Sequence, residues 1–590
     1  MAGTNVFAYD FEADGLYYTV LSEDEKTVEV SADNMTYYPG LTDVVIPENV
    51  ENGGTTYTVT RIGDNAFFYT SVASVEIPTT VTEIGDFAFS DCSLVTVDIP
   101  ASVTSMSGNS FGSVVNLMEI NVDEANPNYS SVGGVLYSKD GSTLVTWPGG
   151  NTNISIPSSV TTIGSYAFYC YYRADEIEIP NTVTTIGDFA FQSSTVERIG
   201  VPASVTEIGD GAFSFCSYLT SIDVEASNPV FSSADGVIYN KDKTTLVAWP
   251  YAKTDVEIPS SVTKIGDYAF YYCMNISSID FPSSLTEIGN YAFVMCSGLT
   301  SLDFPNTLTT IGIEAFNSCS GLTSVEVPNS VTSLGDFAFY CCYGLESIKL
   351  PENLTVMPKY IVGLCSKLKS ITIPATVTSI GEGAFHSCQS LTEIEIPASV
   401  TSIGNYPMAF CTGLTSVTIP DGVTTLGQAV FRDCSNLETV TIGAGGREMG
   451  DYTFGGCPAI KSVTCLSQEV PVVTPDIWQV DESFVADVYS SATLYVPDGT
   501  KEDYEASEPW GLFANIEELT GTGINGVVSS DGEVSISVAD GSIVVSGASG
   551  VEVYSLDGTQ VYGGAAGTVS GLPSGVYVVK AGGKTAKVAL

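Results

Sequence analysis

Nine cysteines, Cys273, Cys296, Cys319, Cys342, Cys365, Cys388, Cys411, Cys434 and Cys457, stand 23 residues apart without a slip. A fixed period of that size means a solenoid: each repeat is one coil, too small to bury its apolar side alone, and a core forms only as coils stack. At 590 residues the chain exceeds the size at which one ordinary core stops growing. Stacking escapes that limit because every coil packs only on its neighbours.

The clearest copies, Cys319 to Phe339 and Cys388 to Gly404, give the pattern C-x-x-L-T-x-I-x-I-P-x-S-V-T-x-I-G-x-x-A-F. Its I-x-I element alternates apolar and polar residues, as Val325, Glu326 and Val327 do, and predicts one short half-buried strand per coil. The proline that follows, as at Pro282, Pro305 and Pro328, has no N–H for a ladder and ends the strand at a corner. A glycine then turns the chain again, as at Gly85, Gly209 and Gly266, with Asp86, Asp210 and Asp267 placed where an N-cap would open one helical turn. The Ala-Phe of that turn is expected to plug the coil interior.

Residues at the glycine corner, from Ile62 to Met449, recur every 22 or 23 positions except for two gaps of 57, which predicts about fifteen coils. The gaps hold matching inserts, residues 121–148 and 223–250, each with two apolar runs around a Lys-Asp turn. That pattern reads as a β-hairpin projecting from the stack. Residues 1–40 hold alternating runs suited to cap the first coil, and residues 41–465 form the solenoid. Over 466–519 the period fails, but a strand, a Pro-Asp-Gly turn and a short helical stretch with Trp510 and Phe513 suit a closing cap. Residues 520–531 read as a Gly, Ser and Thr-rich linker, and 532–590, with short alternating strands and Asp-Gly and Gly-Gly turns, as a small all-β sandwich.

The repeat pattern resembles that of BspA-like (Treponema-type) leucine-rich-repeat surface proteins over roughly Leu41 to Leu519. The N-P-x-Y/F, D-G-V-x-Y-x-K-D and W-P signature of the inserts, complete from Asn228 to Pro250, is similar to one that recurs in that family. The resemblance implies a β-rich (α/β) leucine-rich-repeat solenoid, a secreted or cell-surface location on the outer-membrane side, and a binding role. It carries over no catalytic or ligand residue. Val553 to Val561 and Leu572 to Val588 resemble the motifs of C-terminal sorting domains of the Bacteroidetes type IX secretion route.

With 68 acidic and 20 basic residues the net charge is −48, which repels nucleic-acid phosphates and anionic lipid and excludes nucleic acid as a partner. No apolar run approaches the roughly 20 residues of a membrane helix. Met1 to Asp10 lacks the basic start and apolar core of a signal peptide, so such a leader is expected to be absent from this sequence.

Coils about 5 Å apart would bring successive ladder cysteines within bridging range. Their side chains run parallel instead of facing, so the ladder is expected to hold buried thiols acting as small hydrophobes. Ser193 and Val115 stand near this phase in other coils. Cys170, Cys341 and Cys465 lie off the ladder, and a pair involving one of them stays open. One histidine, His386, reads as a surface residue of its turn, which leaves neither a zinc set nor a Ser-His-Asp site. Acidic residues recur at repeat spacing without gathering in one loop, so no paired-carboxylate hydrolase is expected. Neither an enzyme nor a cofactor is implied.

What remains is surface. The outward residues of five consecutive repeats, Asp223, Glu257, Asp280, Asp303 and Glu326, form an acidic stripe. Either the like charges solvate the sheet and keep it from pairing, or they await calcium or a basic partner. Tyr171, Tyr172, Tyr271 and Tyr272, each just beyond an insert, either offer rigid contact area to protein or sugar or pack on the inserts' Trp147 and Trp249. The expected function is non-enzymatic and adhesin-like, binding host or bacterial surface proteins. A glycan-binding surface protein and a structural surface-layer component are the alternatives.

Overall fold

Most coils contribute two rungs to the stack where the pattern predicts one. The structure, a computed structural model, describes residues 9–32, 38, 40–445, 448–473, 479–480, 484–485, 488–519, 535–539, 542–555, 560–570, 572, 576–581 and 584–589. The predicted linker therefore lies outside the described residues, as do four residues of the first sorting-like motif. The chain divides into two compact units, residues 1–351 and 352–590.

In the first unit the I-x-I rung runs parallel between coils. Thr96–Ile99 pairs with Glu119–Val122, and Arg198–Val201 lies between Glu176–Ile177 and Ser221–Val224. The second rung is the two residues ahead of the glycine, stacked in parallel from Lys264–Ile265 through Glu287–Ile288 and Thr310–Ile311 to Ser333–Leu334. Two residues are too few to show a period of two, so pattern reading passes over them.

The helical turn expected after the glycine does not form. Asn65, Phe67 and Tyr69 donate their N–H groups to Asp86, Ala88 and Ser90 of the next coil, while Ala66 and Phe68 close back on Gly63 and Asn65. A helix would spend all those donors inside one coil; this ribbon gives three of the five to its neighbour. The alternation requires a left-handed residue twice per coil, such as Tyr268 and Tyr272 or Glu314 and Ser318, with φ between 53° and 63°. The aspartate after the glycine caps the following coil and not its own. Asp64 accepts the N–H of Asp86 at 3.0 Å, Asp188 that of Asp210 at 2.9 Å, and Asp267 that of Asn290 at 3.0 Å. The corner glycine is dictated by close stacking: a Cβ on Gly312 would stand 2.6 Å from Asn290 N and Gly289 C.

Inside the coils of the first unit, core phenylalanines of successive coils stack on one another. Centroids of Phe67, Phe89 and Phe111 are 5.3 and 5.5 Å apart, and those of Phe270, Phe293 and Phe316 are 4.8 and 5.0 Å apart. The inserts interrupt this stack in a way the hairpin reading does not anticipate. Each is a three-stranded meander whose last strand, Thr143–Thr146 or Thr245–Ala248, becomes a parallel rung against Thr162–Ile163 or Lys264–Ile265. The tryptophan that follows takes the phenylalanine place: Trp147 stacks on Phe168 at 5.6 Å and Trp249 on Phe270 at 5.2 Å. Each gap thus contains a further, degenerate coil, and the stack starts afresh at Trp147 and at Trp249. At its start, Phe11–Ala13, Leu16–Ser22 and Thr27–Ser31 form an antiparallel meander, and Thr27–Ser31 pairs with Thr55–Ile62, which leads into the glycine-corner ladder.

The second unit repeats the same two rungs, Ser416–Ile419 on Thr439–Ile442 on Ser462–Cys465, and Ser379–Ile380 on Ser402–Ile403 on Thr425–Leu426. Thr493–Pro497 and Asn515–Leu519 extend the first ladder beyond the last repeat. Tyr504 and Trp510 seal this end, donating to Ser467 O at 2.9 Å and Pro471 O at 3.0 Å. Near the C-terminus, three-stranded and four-stranded sheets bury Ile543, Val545, Val551, Val553, Val569 and Val579 in one cluster, a small all-β sandwich.

Candidate functional site

The cysteine ladder is interior. None of the fourteen cysteines is in a disulfide, and those of the ladder are buried. Their sulfurs do more than fill space: Cys296 and Cys319 donate to the carbonyls of Phe270 and Phe293 at 3.1 Å, and in the second unit Cys411 and Cys457 donate to those of Phe385 and Phe431 at 3.1 Å. Burial pushes Cys216 and Cys411 up to about 12, so neither supplies a thiolate at neutral pH. The off-ladder cysteines meet tyrosines instead of one another. Cys465 Sγ lies 3.2 Å from the Tyr504 hydroxyl oxygen, and Cys341 accepts from Tyr343 at 3.4 Å.

The phase of this ladder corrects two sequence readings. Its position is the third residue after the core aromatic, which in the early coils is Thr70, Cys92, Val114, Tyr171, Ser194 and Cys216, all buried. Ser194 and Val114, not Ser193 and Val115, are the equivalents, and Ser194 Oγ lies 3.5 Å from Cys216 Sγ. Tyr171 shares that place and is only 1% exposed, with its hydroxyl donating to Asn151 O at 2.8 Å. It is a core residue and offers a ligand nothing.

The other three tyrosines keep some surface. Tyr172 is 44% exposed. Tyr271 and Tyr272 are half-buried, with centroids 4.6 Å apart, in a run of rings that includes Tyr268, 5.3 Å from Tyr271, and Phe215, 4.8 Å from Tyr272. Burial raises the hydroxyls of Tyr172 and Tyr271 well above the usual phenol range. Their faces are largely spent on one another.

Asp223, Glu257, Asp280, Asp303 and Glu326 are all exposed. Only the two ends lie in paired strands, and only they have cations: Asp223 meets Arg198 at 3.2 Å, and Glu326 meets Lys349 at 2.6 Å. Glu257, Asp280 and Asp303 form no ion pair among the described residues, and their segments form no strand. Like charges in register oppose strand pairing, which adds to the interruption here, although the ladder is also interrupted at Ser155 and Glu395, where no like charges face each other. The stripe is not evenly spaced either, because the turn of the second insert docks beside it, Gly236 accepting from Ile222 at 2.7 Å. Among the described residues no three of His, Cys, Asp and Glu are grouped to hold a metal ion.

His386 is not a surface residue. Its ring is half-buried between Tyr360 and Phe410, at 6.2 and 5.4 Å, and Ser387 Oγ lies 3.0 Å from Nδ1. Burial lowers its pKa. No helix among the described residues is long and apolar enough to cross a membrane.

The profile of the BspA type leucine rich repeat region matches in six copies, over residues 37–133, 149–247, 251–369 and 357–474. Among solved structures, the chain is similar to a leucine rich cell surface protein from Faecalibacterium prausnitzii, with 26% identity over 68% of this chain and 93% of that one and a TM-score of 0.32. It is similar also to a leucine-rich repeat protein from Bacteroides ovatus, with 25% identity, coverage of 79% and 99% and a TM-score of 0.34. A leucine-rich repeat protein from Eubacterium ventriosum matches at 24% identity, with coverage of 70% and 92% and a TM-score of 0.38. No curated protein matches the chain. The matched repeats cover most of the chain and coincide with its two-rung coils, and the protein belongs to the BspA-type leucine-rich-repeat family.

Proposed function

We propose that this protein acts at or outside the cell surface as a non-enzymatic, adhesin-like binder of host or bacterial surface proteins. Family membership supports a protein-interaction role, and the reading is carried by one observation: exposed Glu257, Asp280 and Asp303 present carboxylates with no ion-pair partner among the described residues. Such a patch suits a partner with a basic surface, and the resulting association weakens as salt screens it. The glycan alternative loses Tyr171 to the core, and its remaining rings are mostly packed on each other. The sorting-like C-terminal sandwich fits export by the route its motifs resemble.

The test is capture of matrix proteins and bacterial surface extract by the immobilised full chain. The triple variant Glu257→Lys, Asp280→Lys, Asp303→Lys is expected to lose captured protein by at least about tenfold at low salt, as opposed charges steer and hold encounters. Capture that is unchanged in this variant, or binding confined to a glycan array, would overturn the reading.

A further inference from the structure

We propose that the break in the ring stack between Phe213 and Trp249 is a receptor for one guanidinium group, the side chain of an arginine on a protein partner. This deepens the protein-binding reading and rests on it.

The two inserts correspond residue by residue, and among the differences between their breaks two bear on how closely the coils approach. At the first break Thr146 Oγ1 donates to Gly108 O at 3.0 Å, and Gly108 has no side chain to hold the coils apart; a Cβ there would collide with the Ser165 carbonyl. The break is closed. At the second, alanine stands at 248 in place of the threonine and aspartate at 210 in place of the glycine. The bridging bond is lost and a cleft of about 240 Å³ remains, walled by Asp210, Phe213, Trp249, Asp267, Tyr268 and Tyr271.

The walls specify the ligand. A volume below the roughly 300–1,000 Å³ of drug-sized sites suits a single side chain. Asp210 makes no side-chain hydrogen bond among the described residues, and Asp267 shares its oxygens only with Asn290. The one cation lining the cleft, Lys264, pairs with Glu287 at 2.7 Å and also acts on Asp210 and Asp267, so three carboxylates share a single cation. Above this rim Tyr268 stacks on Tyr291 at 4.8 Å and meets Phe189 edge-on at 5.1 Å. Carboxylates in excess of their one cation, set among aromatic rings, are what a flat guanidinium satisfies, by forked hydrogen bonds and by stacking. A neutral sugar would use the rings and leave the carboxylates unneutralised. A metal ion would lack its third ligand.

The experiment titrates the full chain with N-acetyl-arginine amide, with its uncharged isostere N-acetyl-citrulline amide and with methyl β-glucoside, by calorimetry. Saturable millimolar binding of the arginine probe is expected, about tenfold weaker for citrulline. Asp210→Asn removes the charge and Ala248→Thr restores the closing hydroxyl; each is expected to weaken arginine binding about tenfold or more while melting within a few degrees of the parent. No saturable arginine binding, equal binding of arginine and citrulline, a preference for the glucoside, or full binding in both variants each overturns the proposal. The lysine variants of the acidic stripe leave the cleft intact, so failure of this site and failure of the surface reading give different results.

Discussion

At the residue scale the repeat rewards side chains that serve two coils at once. A ladder cysteine fills the interior and donates its S–H to a carbonyl of the coil before, which alanine cannot do. With twelve of the fourteen thiols more deeply buried than Cys170, itself only 8% exposed, and Cys341 alone at intermediate exposure, native protein is expected to release one fast-reacting thiol to a disulfide reagent at pH 8. All fourteen should react in denaturant; several fast thiols in the native protein would contradict the buried ladder. His386 gives a second outcome. Burial depresses its pKa, so the folded state favours the neutral ring, and below about pH 6.5 the unfolded chain binds the extra proton. Its contribution is therefore present above that pH and lost as pH falls through it. His386→Gln should lose less melting temperature than the parent between pH 7.5 and 5.5; parallel curves would refute this. That such residues were only partly legible has a physical cause. Ser193 and Ser194 are one position apart in sequence, but one has left-handed φ and the other is buried at the ladder position, and period alone cannot fix phase to a single residue.

At the scale of the element, what holds one coil on the next is hydrogen bonding through segments that sequence patterns do not label as strands. The I-x-I rung was legible because alternation marks it, and the proline corner because only one residue lacks an N–H. The glycine corner was read correctly as a position, but its cause was not legible: in most coils the need is for space against the coil before, which no single repeat displays. Gly312→Ala tests that cause. A Cβ 2.6 Å from Asn290 N forces the coils apart, at a cost of about 1–3 kcal/mol of stability. Gly53→Ala, where φ is +58° and nothing lies within 4 Å, costs only the backbone term of about 1 kcal/mol. Equal losses in chemical denaturation would show that backbone conformation, and not stacking, selects glycine at the corner. The left-handed residues make the converse point. Ser193 has φ 61° and a half-buried side chain, so Ser193→Gly should be neutral or stabilising by up to about 1 kcal/mol and Ser193→Val destabilising.

For the molecule as a whole, the governing quantity is a charge of −48 carried by coils that each present the same face outward. A helical bundle can shuffle charges among faces, but a solenoid repeats them in register, so any acidic position in the consensus becomes a column. The chain relieves some columns by placing a cation one coil away, as Arg198 does for Asp223 and Lys461 for Glu438 at 2.7 Å. It leaves Glu257, Asp280 and Asp303 without an ion pair among the described residues, which stores repulsion in the free protein. Added salt should therefore stabilise this protein, because screening acts on exposed charges over a Debye length of about 10 Å at 0.1 M, while the few exposed ion pairs it also weakens contribute little. The melting temperature is expected to rise between 20 and 300 mM sodium chloride. Glu257→Gln, Asp280→Asn and Asp303→Asn together should raise the low-salt value and flatten that rise. Should salt lower the melting temperature, or the neutralised variant keep the parent's slope, the acidic column would be energetically silent, and its availability to a basic partner would no longer follow from repulsion left unrelieved in the free chain.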